Sequence, residues 1–385
     1  MLKSQNRYQW QSAIFALLAL LFFGSVNADS LQKHENGPRQ IDVVIALDVS
    51  GSMDGLIESA KQRLWDIVNE LGRAQPQPEL RLAILSYGNP EYGIQSGFVR
   101  VDLPFTSDLD AVSKTLFEFT TNGGDEYVAR VVQTAVNDLS WSSEPDALRV
   151  IFVAGNEGAH QDPQLPVLLA TEAAIRNGIT VNTIYCGNES DGDATGWRQV
   201  ATSTNGIFAS INQDAAAVAN IATPMDQELA DLNKELNDTY VAFGQEGVAA
   251  RENQIEQDNL VANMSAPAMA SRAASKASPF YRSESWDLVD AVESGKALEE
   301  VAVKDLPAVM QEMEAEQRAA YVEEKADQRA VVQGRIQALA GERQDYIKKE
   351  RAKLADTDEK GLDEVIQEGL RTLAEDKGFT FAESR

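Results

Sequence analysis

The stretch Ile41–Met53, IDVVIALDVSGSM, decides how the rest of the chain is read. Its first seven residues, Ile41–Leu47, are rich in β-branched side chains and nearly all apolar, the composition of a short strand covered on both faces. The next segment has helical spacing. Leu56, Ile57, Ala60, Leu64, Ile67, Val68 and Leu71 recur on one side, with Glu58, Lys61, Gln62 and Glu70 on the other. The alternation continues to residue 222. Arg81–Tyr87, Val150–Ala154, Thr180–Tyr185 and Gly206–Ile211 read as further strands, and Phe98–Leu103 as an edge strand. Helices are expected near Asp108–Phe119, Tyr127–Leu139, Leu165–Arg176 and Trp197–Thr202. Residues 40–222 therefore predict an α/β domain with a doubly wound, mostly parallel six-stranded sheet.

The character changes past Pro224. Asp226–Tyr240 predicts a helix that packs back through Leu229, Leu232 and Leu236, inside a helical extension over residues 225–260. Residues 262–279 are rich in Ala, Ser and Met, with almost no large apolar side chain, and read as a mobile linker. Phe280–Val292, with Phe280, Tyr281 and Trp286, reads either as a docking segment or as a small hydrophobic cluster. Residues 280–385 predict an α-helical C-terminal region. It holds a long helix or helical hairpin over Leu306–Leu354, interrupted by Gly334 and Gly341, and a last helix over Gly361–Leu373.

The 385 residues carry 34 basic and 60 acidic side chains, a formal charge of −26. That excess argues against nucleic acid or an anionic membrane surface as partner. Cys186 is the single cysteine, so the chain forms no internal disulfide and no multi-cysteine metal cage. His34 and His160 alone leave little room for zinc-type catalysis or a His-based triad. At the N-terminus, Lys3 and Arg7 precede the apolar run Ala13–Phe23, and Val26-Asn27-Ala28 offers a small-residue cleavage site. The run is too short to span a bilayer. Residues 1–28 are therefore read as a signal peptide of bacterial style. The mature chain is expected to be periplasmic or secreted, with no membrane-spanning helix.

The chemistry concentrates in Asp48-Val49-Ser50-Gly51-Ser52, directly after the first buried strand. Ligands of open parallel sheets bind at the carboxyl ends of the strands. There one carboxylate and two hydroxyls at alternate positions can converge on a hard cation that prefers oxygen. Gly51 permits the tight turn between them. The plainer reading is a helix cap by Ser50 or Ser52.

With these residues in view, the chain resembles the von Willebrand factor A domain, with its metal-ion-dependent adhesion site. The resemblance covers roughly residues 40–222 and rests on IDVVIALDVSGSM, RLAILSYG, TTNGGDEYVARVV, LRVIFVAGNE, ITVNTIYCG, GWRQVA and GIFASI. Beyond it, IATPMDQELADLNKELNDTYVAFG and YRSESWDLVDAV resemble a bacterial subfamily of exported proteins with a helical C-terminal extension. The family implies a doubly wound sheet and cation-assisted protein binding, usually without catalysis.

Carried over residue by residue, Asp48, Ser50 and Ser52 match the first family motif. The second is a Thr after a Gly-Gly pair, but here Asp125 follows Gly123-Gly124, with Thr121 nearby as a substitute. The third is an Asp, and the alignment puts Asn156 there, with Glu157 and Asp162 close behind. Moving a carboxylate from the third motif to the second keeps two acids near the ion, while Asn156 offers a carbonyl oxygen. The implied ligand set is Asp48, Ser50, Ser52, Asp125 and Asn156, holding Mg²⁺ or else Mn²⁺ or Ca²⁺. The competing reading is a degenerate site without metal.

The resemblance thus implies a non-catalytic module that engages an acidic group, a carboxylate, of a partner protein in the cell envelope. The alternative is a structural envelope scaffold that self-associates through its C-terminal helices. An exported hydrolase is disfavoured, because no nucleophile–base pair can be assembled and Ser50 lacks a G-x-S-x-G elbow.

Overall fold

The computed structural model describes residues 39–211, 221–354 and 362–381. The expected signal peptide over residues 1–28 lies outside them. The chain first lays down β1 (Gln40–Asp48), α1 (Asp54–Leu71), β2 (Ala74–Gln75), β3 (Glu79–Tyr87), β4 (Val99–Thr106), α2 (Leu109–Phe117) and α3 (Val128–Asp138). It continues through β5 (Leu148–Gly155), α4 (Val167–Arg176), β6 (Thr180–Tyr185), α5 (Ala194–Ser203) and β7 (Phe208–Ser210). These strands, β2 apart, form one six-stranded sheet in the order β4-β3-β1-β5-β6-β7. Only the β3–β4 pair is antiparallel.

Strand β1 is central, paired with β3 on one side and β5 on the other, so Ile45 lies opposite both Ile84 and Phe152. The alternation of a strand sends Val43, Ile45 and Leu47 to the face covered by α1 and α2. Val44 and Ala46 go to the opposite face, covered by α3, α4 and α5. Both faces are sealed, which is why IDVVIAL is an apolar run rather than an alternating one. The chain leaves β1 toward β3 and returns to it at β5, so the strand order reverses between β1 and β5. Their carboxyl ends frame the crevice where such sheets bind ligands.

The rest is helical: α6 (Asp226–Asn237), α7 (Gly244–Met264), α8 (Ala266–Lys276), α9 (Leu288–Glu293), α10 (Ala308–Gln311), α11 (Ala315–Leu354) and α12 (Leu362–Asp376), then β8 (Thr380–Phe381). The expected linker over 262–279 is instead the end of α7 and the whole of α8. Ser265 caps α8, its hydroxyl accepting from Ala268 N at 3.2 Å. Small side chains, which read as a lack of core residues, let α8 lie close against its neighbours, with Ala268, Ala270 and Ala273 buried. Its two cations are buried with them. Arg272 donates to Asp110 of α2 at 2.8 Å and also pairs with Asp258 of α7, while its guanidinium lies 4.7 Å from the Trp65 ring of α1. Lys276 lies 3.0 Å from Asp258.

Phe280–Val292 does not dock outward either. Tyr281 bonds Asp110, and Leu288 and Val289 are buried against α10 and α11. Arg329 of α11 donates to Asp287 at 2.8 Å and to the Thr239 carbonyl at 3.0 Å. The region Leu306–Leu354 is mostly one helix, α11, which passes through Gly334 and Gly341 unbroken. The end of the chain returns to the α/β part. Ile366, Leu370, Ala374 and Phe379 join the core under α1, and β8 pairs with β2.

Burial alone would raise the pKa of Asp258, but Arg272 and Lys276 overcome it and hold the carboxyl well below its usual range. A depressed carboxyl pKa contributes stability above the unfolded value of 3.8 that is lost as the pH falls through that value toward the folded one. Asp258→Asn is therefore expected to cost about 3–5 kcal/mol at pH 7, because two cations are left buried with one acid between them. Urea unfolding at pH 7 and at acid pH checks both parts: the variant should also lose less stability than wild type on acidification.

Candidate functional site

Asp48 ends the central strand and is fully buried. Its Oδ1 accepts the backbone N–H of Ser50 at 2.8 Å, which folds the D-x-S-x-S turn back over the strand end. Ser50 Oγ then lies 3.3 Å from Ser52 Oγ. From the end of β5, Asn156 Nδ2 donates to Ser52 Oγ at 3.0 Å. The two strand ends that frame the crevice thus meet through Asp48, Ser50, Ser52 and Asn156.

Asp125 stands apart. It is exposed, and its carboxylate accepts from the Tyr127 hydroxyl at 3.4 Å. Thr121 does not replace it, since its hydroxyl donates to Asp54 at 2.6 Å. The acid that reaches the crevice is the next residue, Glu126, which is buried at the entry to α3 and within hydrogen-bonding reach of Asp48 and Ser50. Its backbone N–H donates to Gln161 at 3.1 Å, which fixes the loop. One further residue along an extended segment turns a side chain to the opposite side, so the Asp125-Glu126 pair presents one acid outward and one inward. Two adjacent acids after Gly123-Gly124 were the available signal. Alignment on the family motif selects the first of them, whereas the fold turns the second inward.

Two glycines make room for this pair. A Cβ at Gly88 would lie 2.6 Å from Asp48 Oδ1 and 3.2 Å from Glu126 Cγ, and a Cβ at Gly155 would lie 3.1 Å from Asp48 Oδ2. Burial raises the pKa of both Asp48 and Glu126; the neighbouring Asp48 raises Glu126 further, to about 9, while the hydrogen bond with Glu126 lowers Asp48 in return. The same pair, after burial, raises Tyr87 and Cys186. Cys186 is therefore a buried thiol rather than a nucleophile. Of the remaining acids named from the sequence, Asp162 is committed to Arg130 at 2.9 Å, and Glu157 bonds Gln161.

Three oxygens in the crevice are buried without a hydrogen-bond partner: Asp48 Oδ2, Glu126 Oε2 and Asn156 Oδ1. With both acids ionised all three are acceptors, and buried acceptors left unpaired are rare because each carries a desolvation penalty. A cation would supply the partner such a set lacks. Two carboxylates, two hydroxyls and an amide carbonyl make an all-oxygen donor set, which suits Mg²⁺, Ca²⁺ or Mn²⁺ rather than a thiophilic ion. Among the described residues, no group of three or more His, Cys, Asp and Glu gathers as a metal centre, so the crevice rests on two acids with hydroxyl and amide oxygens.

A doubly wound sheet with an oxygen-lined crevice at its strand switch defines the class: an open-sheet α/β domain. Residues 42–224 match the family profile of the von Willebrand factor type A domain, and the chain carries such a domain. Among solved structures it is similar to a von Willebrand factor type A protein from Catenulispora acidiphila, at 18% identity and TM-score 0.36, over 47% of this chain and 40% of that one. It is also similar to proximal thread matrix protein 1 from the mussel byssus, described with a zinc-occupied MIDAS motif, at 13% identity and TM-score 0.37, over 48% and 44%. A third is the pilus adhesin SpaC from Lactobacillus rhamnosus GG, at 13% identity and TM-score 0.36, over 47% and 29%. The chain thus spans less than half of each. No curated protein sequence matches it.

Gly88 has φ +84°, a conformation that disfavours side chains, and its missing Cβ is the space the acid pair occupies. Gly88→Ala is expected to destabilise the protein by about 2 kcal/mol or more through strain and displacement of Asp48. Thermal unfolding checks it. Gly123→Ala, where an added Cβ meets nothing within 4 Å, should be near neutral by the same measurement.

Proposed function

We propose that this protein is a non-catalytic protein-binding module whose crevice holds a divalent cation, Mg²⁺ or else Mn²⁺ or Ca²⁺. The residues that would hold it are Asp48, Ser50, Ser52, Glu126 and Asn156, with Glu126 in the place expected for Asp125. The observation that supports this most is the set of three unpartnered buried acceptors on Asp48, Glu126 and Asn156. When bound, the ion supplies an open coordination position for an oxygen of the partner, for which a carboxylate is the natural donor. Asp48 and Glu126 offset the charge of the ion, so a partner carboxylate gains less here than at a site with one acid. A cation between two acidic surfaces also relieves their repulsion, which suits a chain of charge −26.

We read the crevice as non-catalytic because the resemblance is to a family of binding domains. Among the described residues, no helix is long and apolar enough to cross a membrane. We place the mature protein in the periplasm or outside the cell on the strength of the N-terminal sequence. The reading as a self-associating scaffold has less to support it, since Val322, Val332 and Ile336 of α11 are used in packing within the chain.

Calorimetric titration of Mg²⁺ and Mn²⁺ into the full chain tests the reading. Saturable binding is expected in wild type and in Asp125→Asn. Asp48→Ala should abolish it, and Glu126→Gln should weaken it by roughly tenfold or more through loss of one charged ligand. No binding in wild type would overturn the proposal, while a loss in Asp125→Asn with Glu126→Gln unaffected would return the second acid to Asp125. A pull-down from cell-envelope extract, with and without EDTA, then asks whether partner capture follows the ion.

A further inference from the structure

At the other end of α1, about 27 Å from the crevice, lies a second concave site. A cavity of about 480 Å³ opens between the C-terminal turn of α1, α8 and the second half of α11, floored by Gln367 of α12. It runs into an adjoining cleft of about 450 Å³ that shares Glu70, Arg73 and Arg351 and ends at Lys348 and Arg371. These volumes fall in the range of small-molecule sites, about 300–1,000 Å³. Across the two, five basic side chains face three acidic ones. In a chain of charge −26 this is a local reversal of sign.

The lining is rich in N–H donors. Glutamine amides come from Gln75, Gln77, Gln337, Gln344 and Gln367, of which Gln337 already donates to the Ala277 carbonyl at 2.8 Å and Gln367 to the Asp66 carbonyl at 3.4 Å. The Glu70 carboxylate serves two guanidinia, with Arg371 Nε at 3.1 Å and Arg73 at 3.5 Å. Gln77 Nε2 is buried with no hydrogen-bond partner. Arg343, by contrast, is committed to Asp226 at 2.8 Å and to the Pro267 carbonyl, and acts as wall. Donors therefore outnumber acceptors, which is the reverse of the metal crevice. An arginine fork presents side-by-side donors that match a planar carboxylate, and the two guanidinia already hold one such group in Glu70.

We propose that this cleft binds a small, multiply charged carboxylate ligand, with Arg73 and Gln77 as its donors. Gly341 lines the cavity, and a Cβ added there would meet no atom within 4 Å. Gly341→Leu thus enters the cavity from an open position, and replacing a mid-helix glycine favours the helix.

The test is calorimetric titration of tricarballylate into the full chain at constant ionic strength, with sulfate as a second probe. One saturable tricarballylate site is expected, weakened roughly tenfold or more both in Arg73→Gln, by loss of the charged fork, and in Gly341→Leu, by occlusion. Gly341→Leu should keep a wild-type melting temperature or exceed it, so that its loss of binding reports the cleft rather than folding. No saturable heat in wild type, unchanged affinity in both variants, or equal binding of sulfate would each overturn the proposal.

Discussion

A carboxylate sits buried at the end of the central strand, and the rest of the site is arranged around it. Asp48 lies where both neighbours of β1 end, at the one place in the sheet where the strand order reverses. Gly88 and Gly155 leave out the side chains that would displace it. The turn at Ser50 and Ser52 folds back onto it, and Glu126 is drawn in from the loop before α3. A lone pair of buried acids is an unfavourable arrangement. It persists because the sheet on one side and the two loops on the other hold it, and the cation proposed to bind there would offset the charge of both acids.

The helical part is tied to the α/β part by a different kind of contact. Arg272 and Lys276 of α8 are enclosed by Asp110, Asp258 and Asn237 from three other helices. Buried ion pairs add little net stability compared with apolar packing, but a register that separates them is strongly disfavoured. The network therefore selects which helix faces meet. Arg329 does the same for α11 through Asp287 and Asp290. With α12 and β8 returning to α1 and β2, both ends of the helical part are anchored. The two concave sites lie at opposite ends of α1 and have opposite demands: acceptors without donors at its start, donors in excess at its end.

Much of this is legible in residue order. The strands of the main sheet are short apolar runs between turn residues, and α1 announces itself by period. Asp48, Ser50 and Ser52 follow from their place after β1, and Asn156 from its place after β5. The misreadings share a cause. Residues 262–279 look like a linker because small and charged residues signal exposure on average. Here the small ones permit close helix packing and the charged ones are paired across it. Motif alignment prefers Asp125 to Glu126 because it counts positions, and counting does not say which of two neighbours a loop turns inward.

The amino-acid order by itself determined the sheet, its helices and the oxygen-rich character of the turn after β1, because periodicity and local turn chemistry are written in neighbouring residues. Which acid faces Asp48, what buries Arg272 and how Arg371 of α12 reaches Glu70 were decided only by tertiary structure. Those contacts join residues far apart along the chain, and their energy depends on burial that no single segment can specify.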